Sequence, residues 1–447
     1  MTKITFMGAG STVFAKNILG DSMLTDCLKD STIALYDINA ERLHESHMML
    51  ENLNNNINGG RAKITTHLNV KQRRAALKDA DFVINAIQVG GYEPSTVADF
   101  EIPKKYGLRQ TIGDTLGIGG IFRALRTIPV MEGFANDMKA VCPNAWFLNY
   151  TNPMSILTGF LIRKCDIKAV GLCHSVQVCA EHLLRSLNLW DKYNPVTWKV
   201  AGINHMAWLL DISKDGKSIY PEVRKAAERI NRGARKKDGE KHGDMVRFEM
   251  MKHFGYYNTE SSEHTAEYHP YFIKKQYPEL IEEFNIPLDE YPRRCQNQIA
   301  GWLRQREEIV NNKKLTHNRT HEYGSYIMES ILTDKAIEIG GNVINNGLIS
   351  NLPADACVEV PCLVNRNGVQ GCAVGELPPQ CAALNMTHIN VHTLTIEAAM
   401  ARSRSLVYQA AMLDPHTRSE LTLDEIRAMC DELFEAHVKD GMMPEYK

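Results

Sequence analysis

The sequence has no long apolar run. Nothing among its 447 residues approaches the ~20 consecutive apolar residues that a membrane span needs. It has no excess of one charge either. Lys and Arg total 51 against 53 Asp and Glu, a formal net charge of −2, so the basic field that draws nucleic acid or an anionic membrane surface is missing. The 11 cysteines are odd in number and nowhere spaced as CxxC. That argues against a disulfide framework or a structural zinc module, and for a reducing cytoplasm. Met1-Thr2-Lys3 leads straight into a strand pattern, without the apolar segment of a secretory leader. Internal repeats and low-complexity tracts are also lacking. What remains is ordinary globular usage, 44% hydrophobic and 23% charged, in a chain long enough for two domains or one large one. The expectation is a cytoplasmic protein that handles small molecules, with no nucleic-acid or membrane partner.

The run Ile167 to Leu172 reads as a short buried strand, and it ends abruptly in Cys173-His174-Ser175. In an open parallel sheet, ligands sit just beyond the carboxyl ends of strands. About thirty residues later Val200-Ala201-Gly202-Ile203 leads into Asn204-His205. A thiolate from Cys173 and a neutral imidazole from His205 at two strand ends can converge on one divalent metal. Each residue alone is better explained by burial, Cys173 as a small hydrophobe and His205 as a hydrogen-bonded core histidine; the two together, with the start of the chain, favour the metal.

The N-terminus supplies a second signal. Ile4–Met7 is a strand, Gly8-Ala9-Gly10-Ser11 a glycine turn, and Phe14–Leu24 an apolar helix. This is the opening of a dinucleotide-binding βαβ unit, in which glycines admit a pyrophosphate to the helix N-terminus. Val13 replaces the third glycine of the fingerprint. Thr32–Tyr36 is a second strand ending at Asp37. There a carboxylate either accepts from a ribose hydroxyl, favouring NAD over NADP, or caps the following helix. The βα alternation continues through Lys63–Thr66, Val70–Lys78 and Asp81–Ala86. Next, Gln88-Val89-Gly90-Gly91 falls where such a fold passes under the nicotinamide. Gly113–Gly120 is a glycine-rich loop that either closes over a ligand or simply connects. Asn149 and Asn152 flank the end of the strand Ala145–Tyr150. They read as contacts to a nicotinamide ribose or sugar hydroxyl, with a helix cap as the plain alternative for the Asn before Pro153.

Beyond residue 200 the character changes. Trp198–Ile203 and Ala207–Ile212 read as an antiparallel hairpin, and the charged tract 232–243 as an exposed loop. The rest reads as mostly helical, with strand pieces at Val358–Val364 and Gly371–Val374. The run Glu260–Tyr268 holds carboxylates, a His and a Tyr in a stretch too polar for a core. Arg293 and Arg294 precede a helix predicted over Gln296–Asn311, where they oppose its dipole and so call for a carboxylate or a ligand. The fold expected is α/β: a Rossmann-like doubly wound sheet of the lactate/malate dehydrogenase kind over 1–195, and a mainly helical α+β domain for substrate, metal and oligomerisation over 196–447.

The Gly8-Ala9-Gly10-Ser11 turn, the Asn149–Asn152 segment, Leu172-Cys173-His174-Ser175-Val176, Gly202-Ile203-Asn204-His205-Met206 and Ser261-Ser262-Glu263-His264 followed by Glu267-Tyr268 occur in one order. Together, and over essentially the whole chain, they resemble glycoside hydrolase family 4, the NAD- and metal-dependent glycosidases. Within the family, Cys173-His174-Ser175-Val176 resembles the signature of its α-galactosidases. The resemblance implies redox-assisted elimination, an exception to paired-carboxylate hydrolysis. NAD⁺ takes a hydride from C3 of the sugar, a base removes the C2 proton, the C1 group leaves, water adds and the hydride returns. It implies Mn²⁺ on Cys173 and His205, Tyr268 as the C2 base, and Glu263 as a carboxylate close to the metal. A phenol needs a cation beside it for that role; the metal and Arg294 are the candidates. His174 stands where phospho-α-glucosidase relatives carry the acid that protonates the leaving oxygen, and imidazole suits that task. Gly8, Gly10, Ser11, Asp37, Gln88 and Asn149 fall to the cofactor, Asn152 and Arg294 to the sugar. No 6-phosphate cradle is recognisable, so the substrate expected is an unphosphorylated α-galactoside of the melibiose or raffinose class. An α-galacturonide or a plain NAD-dependent dehydrogenase reaction is the alternative, and a homodimer or homotetramer the expected assembly.

Overall fold

A computed structural model describes residues 1–236 and 238–447. Its centre is a parallel sheet of β1 (Lys3–Met7), β2 (Thr32–Asp37), β3 (Lys63–Leu68), β4 (Phe82–Asn85), β5 (Trp146–Asn149) and β6 (Ala169–Gly171). Their spatial order is β3-β2-β1-β4-β5-β6, and every pairing is parallel. This is the doubly wound order with its switch point between β1 and β4, where a crevice opens at the carboxyl ends. β1 and β4 are short apolar runs because helices cover both faces. Ile4, Phe6 and Ile84 pack into one core, Met7 and Val83 into the other.

The sheet does not stop at residue 195. β11 (Ile337–Ile344) joins β6 antiparallel through Asn342 opposite Gly171. β12 (Cys357–Asn365) pairs β11, and β7 (Thr197–Ile203) pairs β12 through Gly202 opposite Glu359. β8 (Met206–Lys214) completes the expected hairpin with β7. The short strands β9 (Lys217–Ser218), β10 (Tyr257–Asn258) and β13 (Gly368–Gly371) add to β8, β8 and β12. Among the described residues one sheet of 13 strands therefore runs through both halves. β11 escaped the sequence reading because Gly340, Gly341 and Asn342 interrupt its apolar pattern. Strands on both sides supply the pairing that its composition does not advertise.

Three further expectations shift. The charged tract 232–243 begins inside the helix Tyr220–Ala234, and Lys237 lies outside the described residues. The helix carrying Arg294 starts at Glu290, not Gln296. The Gly113–Gly120 segment is not a closing loop. The helix starts at Gly117, and 110–116 is buried around the Glu267 carboxylate, which accepts from the backbone N–H groups of Thr111 (2.8 Å), Ile112 (3.2 Å) and Gly113 (2.9 Å).

Candidate active site

The crevice at the switch point is a cleft of about 630 Å³. Ser11 and Phe14 line one end, Gln88, Thr151 and Asn152 the middle, and Cys173, His174, His205 and Glu260 the other. At the first end the chain turns sharply after β1. Gly8 has φ +88°, and a Cβ there would lie 2.8 Å from the Ala86 carbonyl oxygen, so only glycine keeps β1 and β4 this close. Ser11 precedes the helix Thr12–Leu24 without capping it through its side chain, so N–H groups of the first turn stay available to an anion. Asp37 is not the cap of the next helix; Asn39 is, accepting from the Arg42 N–H. Asp37 instead accepts from the Gly10 N–H at 2.6 Å and the Asn39 N–H at 2.8 Å, which fixes its carboxylate beside the glycine turn.

Asn149 does not line the cleft. It is fully buried behind the cleft, accepting from Asn85 Nδ2 at 3.0 Å and donating to the Thr151 carbonyl at 3.1 Å. It braces the Thr151–Asn152 bend, and Asn152 faces the cleft with its amide 3.3 Å from Asp114 Oδ2.

At the far end, donor atoms of Cys173, His205 and Glu260 all lie within 4.8 Å of one another. Cys173 ends the loop after β6. His205 sits in the tight β7–β8 turn at φ +63°. Glu260 follows β10, its N–H held by the Asn258 side chain. His205 Nε2 is 3.4 Å from Glu260 Oε2, and Nδ1 is 3.1 Å from the Tyr268 hydroxyl. Burial disfavours charge on His205, but Glu260 and Cys173 outweigh it and lift the imidazole to about 10. Burial likewise opposes charge on Glu260, yet His205 and His264 hold it below its ordinary value. The pocket thus stores a negative potential that retains a proton. A divalent cation displaces such a proton, and sulfur, nitrogen and oxygen donors together suit a borderline transition ion. Donor atoms of a second group, Asp114, His205 and His264, also lie within 4.8 Å of one another and share His205.

The carboxylate in the cluster is Glu260, not Glu263. Glu263 lies on the first turn of the helix Ser262–Tyr268 and pairs with Arg294 at 3.1 Å. Arg294 also binds Glu290 at 2.7 Å, so its charge against the helix dipole is answered by two carboxylates; it does not line the cleft. The run Glu260–Tyr268, read as too polar for a core, is largely buried: Thr265 and Tyr268 are fully enclosed. Glu267 is satisfied by the 111–113 backbone, and His264 Nδ1 meets Ser261, within the run, at 3.0 Å. Burial pushes the Tyr268 phenol well above its ordinary value, so the depression expected of a base has no source in Arg294. His174 lines the cleft with Nε2 2.7 Å from Glu322 Oε2. That hydrogen bond raises its pKa against the effect of burial.

Glu260 stood in the polar run, but the carboxylate expected near the metal was Glu263. Asp114 and Glu322 gave no local signal, since Glu322 meets His174 across 148 residues.

The doubly wound sheet, the glycine turn at its switch point and the donor cluster in the same cleft define a Rossmann-type enzyme with a cation pocket. Residues 3–189 match the family 4 glycosyl hydrolases, and residues 200–417 match that family's C-terminal domain. The chain belongs to family 4 of the glycosyl hydrolases. It is 58% identical to an alpha-galactosidase of Bacillus subtilis (strain 168) over the full length of both chains. It is 32% identical to an alpha-galactosidase of Rhizobium meliloti (strain 1021), covering 99% of this chain and 89% of that one. The fold also matches a 6-phospho-alpha-glucosidase from gut microorganisms, solved in complex with NAD and Mn²⁺, with a TM-score of 0.80, 23% identity and complete coverage of both chains. No helix among the described residues is long and apolar enough to cross a membrane.

Proposed function

We propose that this family 4 glycosidase is an α-galactosidase that hydrolyses terminal, unphosphorylated α-galactosides of the melibiose and raffinose class. The observation that carries the chemistry is the single cleft joining the Gly8–Ser11 turn to the Cys173–His205–Glu260 cluster. The likeness to two alpha-galactosidases over nearly the whole chain supports the sugar. NAD is the cofactor at the glycine turn, with Asp37 for a ribose, and Mn²⁺ the ion on Cys173 and His205. When bound, NAD supplies a reversible hydride acceptor for C3 and Mn²⁺ a Lewis acid for the oxygens on C2 and C3.

The chain's own residues have the remaining tasks. Tyr268 takes the C2 proton. His205 lies between its hydroxyl and Glu260 and orients it. His174, held by Glu322, donates to the departing oxygen. Asn152, fixed through Asp114, offers a polar contact to the sugar. The two arginines lining the cleft have partners of their own: Arg247 binds Asp244 and stacks over Tyr257, and Arg123 meets Tyr291. That supports a sugar without phosphate. A cytoplasmic homodimer or homotetramer completes the reading.

The test is hydrolysis of p-nitrophenyl α-galactoside by purified protein, with NAD⁺, Mn²⁺ and a thiol reductant added singly and together. Hydrolysis that needs NAD⁺ and Mn²⁺ and leaves no net NADH is the expected result. Activity on the α-galacturonide alone would keep the chemistry and change the sugar. Net NADH without hydrolysis would overturn the reading.

A further inference from the structure

The two expected metal ligands come from strands that are not neighbours. Cys173 follows β6 and His205 follows β7, and between them in the sheet lie β11 and β12. Their separation is therefore set by whatever fixes four strands in register at this level. One side chain reaches both sides. Glu359 sits on β12 opposite Gly202 of β7 and opposite Asn342 of β11. It is 1% exposed. Its Oε1 accepts from Asn342 Nδ2 at 2.9 Å and from Asn204 Nδ2 at 3.2 Å. Asn342 Nδ2 also reaches the Gly171 carbonyl at 3.3 Å, two residues before Cys173. Asn204 is the residue directly before His205 in the β7–β8 turn.

We propose that Glu359 is a positioning residue that holds Cys173 and His205 at cation-binding separation, one through Asn342 and Gly171, the other through Asn204. The inference rests on the cation reading given above and assigns to it a second layer of residues. Three features support it. A carboxyl in a sheet interior is costly unless it has specific work, and Glu359 touches neither cleft nor solvent. Gly202, its partner on β7, has φ +155°, and a Cβ there would lie 2.6 Å from the Ala207 Cα, so the turn bearing His205 is already closed tightly and depends on its flank for direction. Burial also raises the Glu359 carboxyl to about 7, against the two amide hydrogen bonds that lower it. Among the described residues Oε2 has no partner, so a neutral amide can replace that oxygen and keep both bonds to Oε1.

That last point makes the proposal testable without removing any residue of the cleft. Mn²⁺ and NAD⁺ binding are measured separately for wild type, Glu359→Leu, Glu359→Gln, Asn204→Ala and Asn342→Ala, with free Mn²⁺ read by electron paramagnetic resonance. Outer-layer partners of metal ligands typically govern about 10- to 100-fold in metal affinity. Glu359→Leu should lose affinity for Mn²⁺ on that scale while NAD⁺ affinity is unchanged. The activity of that variant should recover at saturating Mn²⁺. Glu359→Gln should bind Mn²⁺ like wild type, and each Asn variant should fall between. If Glu359→Leu does not fold, the two Asn variants decide: wild-type Mn²⁺ affinity in both overturns the proposal. So does a Glu359→Gln variant that loses as much as Glu359→Leu, or a folded Glu359→Leu that loses nothing. A wild-type protein that binds no Mn²⁺ overturns the cation reading itself, and this assignment with it.

Discussion

Nδ1 of His205 lies 3.1 Å from the hydroxyl of Tyr268, so the expected metal ligand and the expected base share one hydrogen bond. The phenol is fully buried behind His205 and pushed well above its ordinary pKa. A positive charge at His205 or on an ion beside it is the counterweight that the geometry provides.

Replacing Tyr268 by Phe should remove the proton acceptor with little change in shape. General bases contribute typically ~10²- to 10⁴-fold, and turnover should fall by that order. Solvent deuterium should no longer enter C2 of recovered sugar, while Mn²⁺ binding persists. Deuterium incorporation at the wild-type rate would assign the base elsewhere.

Cys173 faces the cleft and is partly exposed, with its sulfur 3.2 Å from the Ser175 hydroxyl. Peroxide should therefore inactivate the enzyme by oxidising this sulfur, and a thiol should restore it at the sulfenic stage. Cys173→Ser should retain its far-ultraviolet circular dichroism and NAD⁺ binding but lose Mn²⁺ affinity and activity. Near-normal turnover in that variant with added Mn²⁺ would contradict the ligand assignment.

Glu267 gathers three backbone N–H groups of the 111–113 segment. Glu267→Leu strands all three in a buried site, and each unsatisfied donor costs about 1–3 kcal/mol. A loss of about 3 kcal/mol or more in urea unfolding is expected, with Glu267→Gln losing less because one acceptor oxygen remains. An unchanged urea midpoint for the Leu variant would mean that the segment is held by other contacts.

Two buried imidazoles should each withdraw stability in acid well above the carboxylate range. Burial pushes His269 and His392 down to about 3, so both are neutral in the folded chain. The unfolded chain takes up protons below about pH 6.5. Their contribution is complete above that pH and declines as pH drops toward 3. Linkage sets the slope at about 1.4 kcal/mol per pH unit for each imidazole. His205, raised to about 10, and Glu359, raised to about 7, have the opposite slope over about pH 7.5 to 5.5, so the two imidazoles are read by difference: with His269→Gln and His392→Gln together, acidification over that interval should cost less stability than it does in wild type. The same change of urea midpoint with pH in wild type and in the double variant would refute the assignment.

The parallel half of the fold was legible because its signals are local. A buried strand is a short apolar run, and a dinucleotide turn needs glycine where φ is positive, so Ile4–Ser11 and Thr32–Asp37 declare themselves. Cys173 and His205 were legible because each follows such a strand. The run Glu260–Tyr268 misled because polarity alone does not report burial: Glu267 is satisfied by backbone more than a hundred residues away, and His264 by Ser261 within the run itself. For the same reason Glu263 was read where Glu260 belongs, since only the start of the helix at Ser262 decides which carboxylate faces the cluster.

By itself, the sequence determined the order of strands and helices in the parallel half, the glycine turn, and which residue types end those strands, all of which depend on neighbours within a few positions. The tertiary structure decided that β11 and β12 stand between β6 and β7, that Asn149 is buried against Asn85 and the Thr151 carbonyl, that Glu322 meets His174, and that Glu359 lies behind both ligand strands. Those are pairings of distant segments, set by sheet register and by the need of each buried polar group for a partner, and no local pattern encodes them.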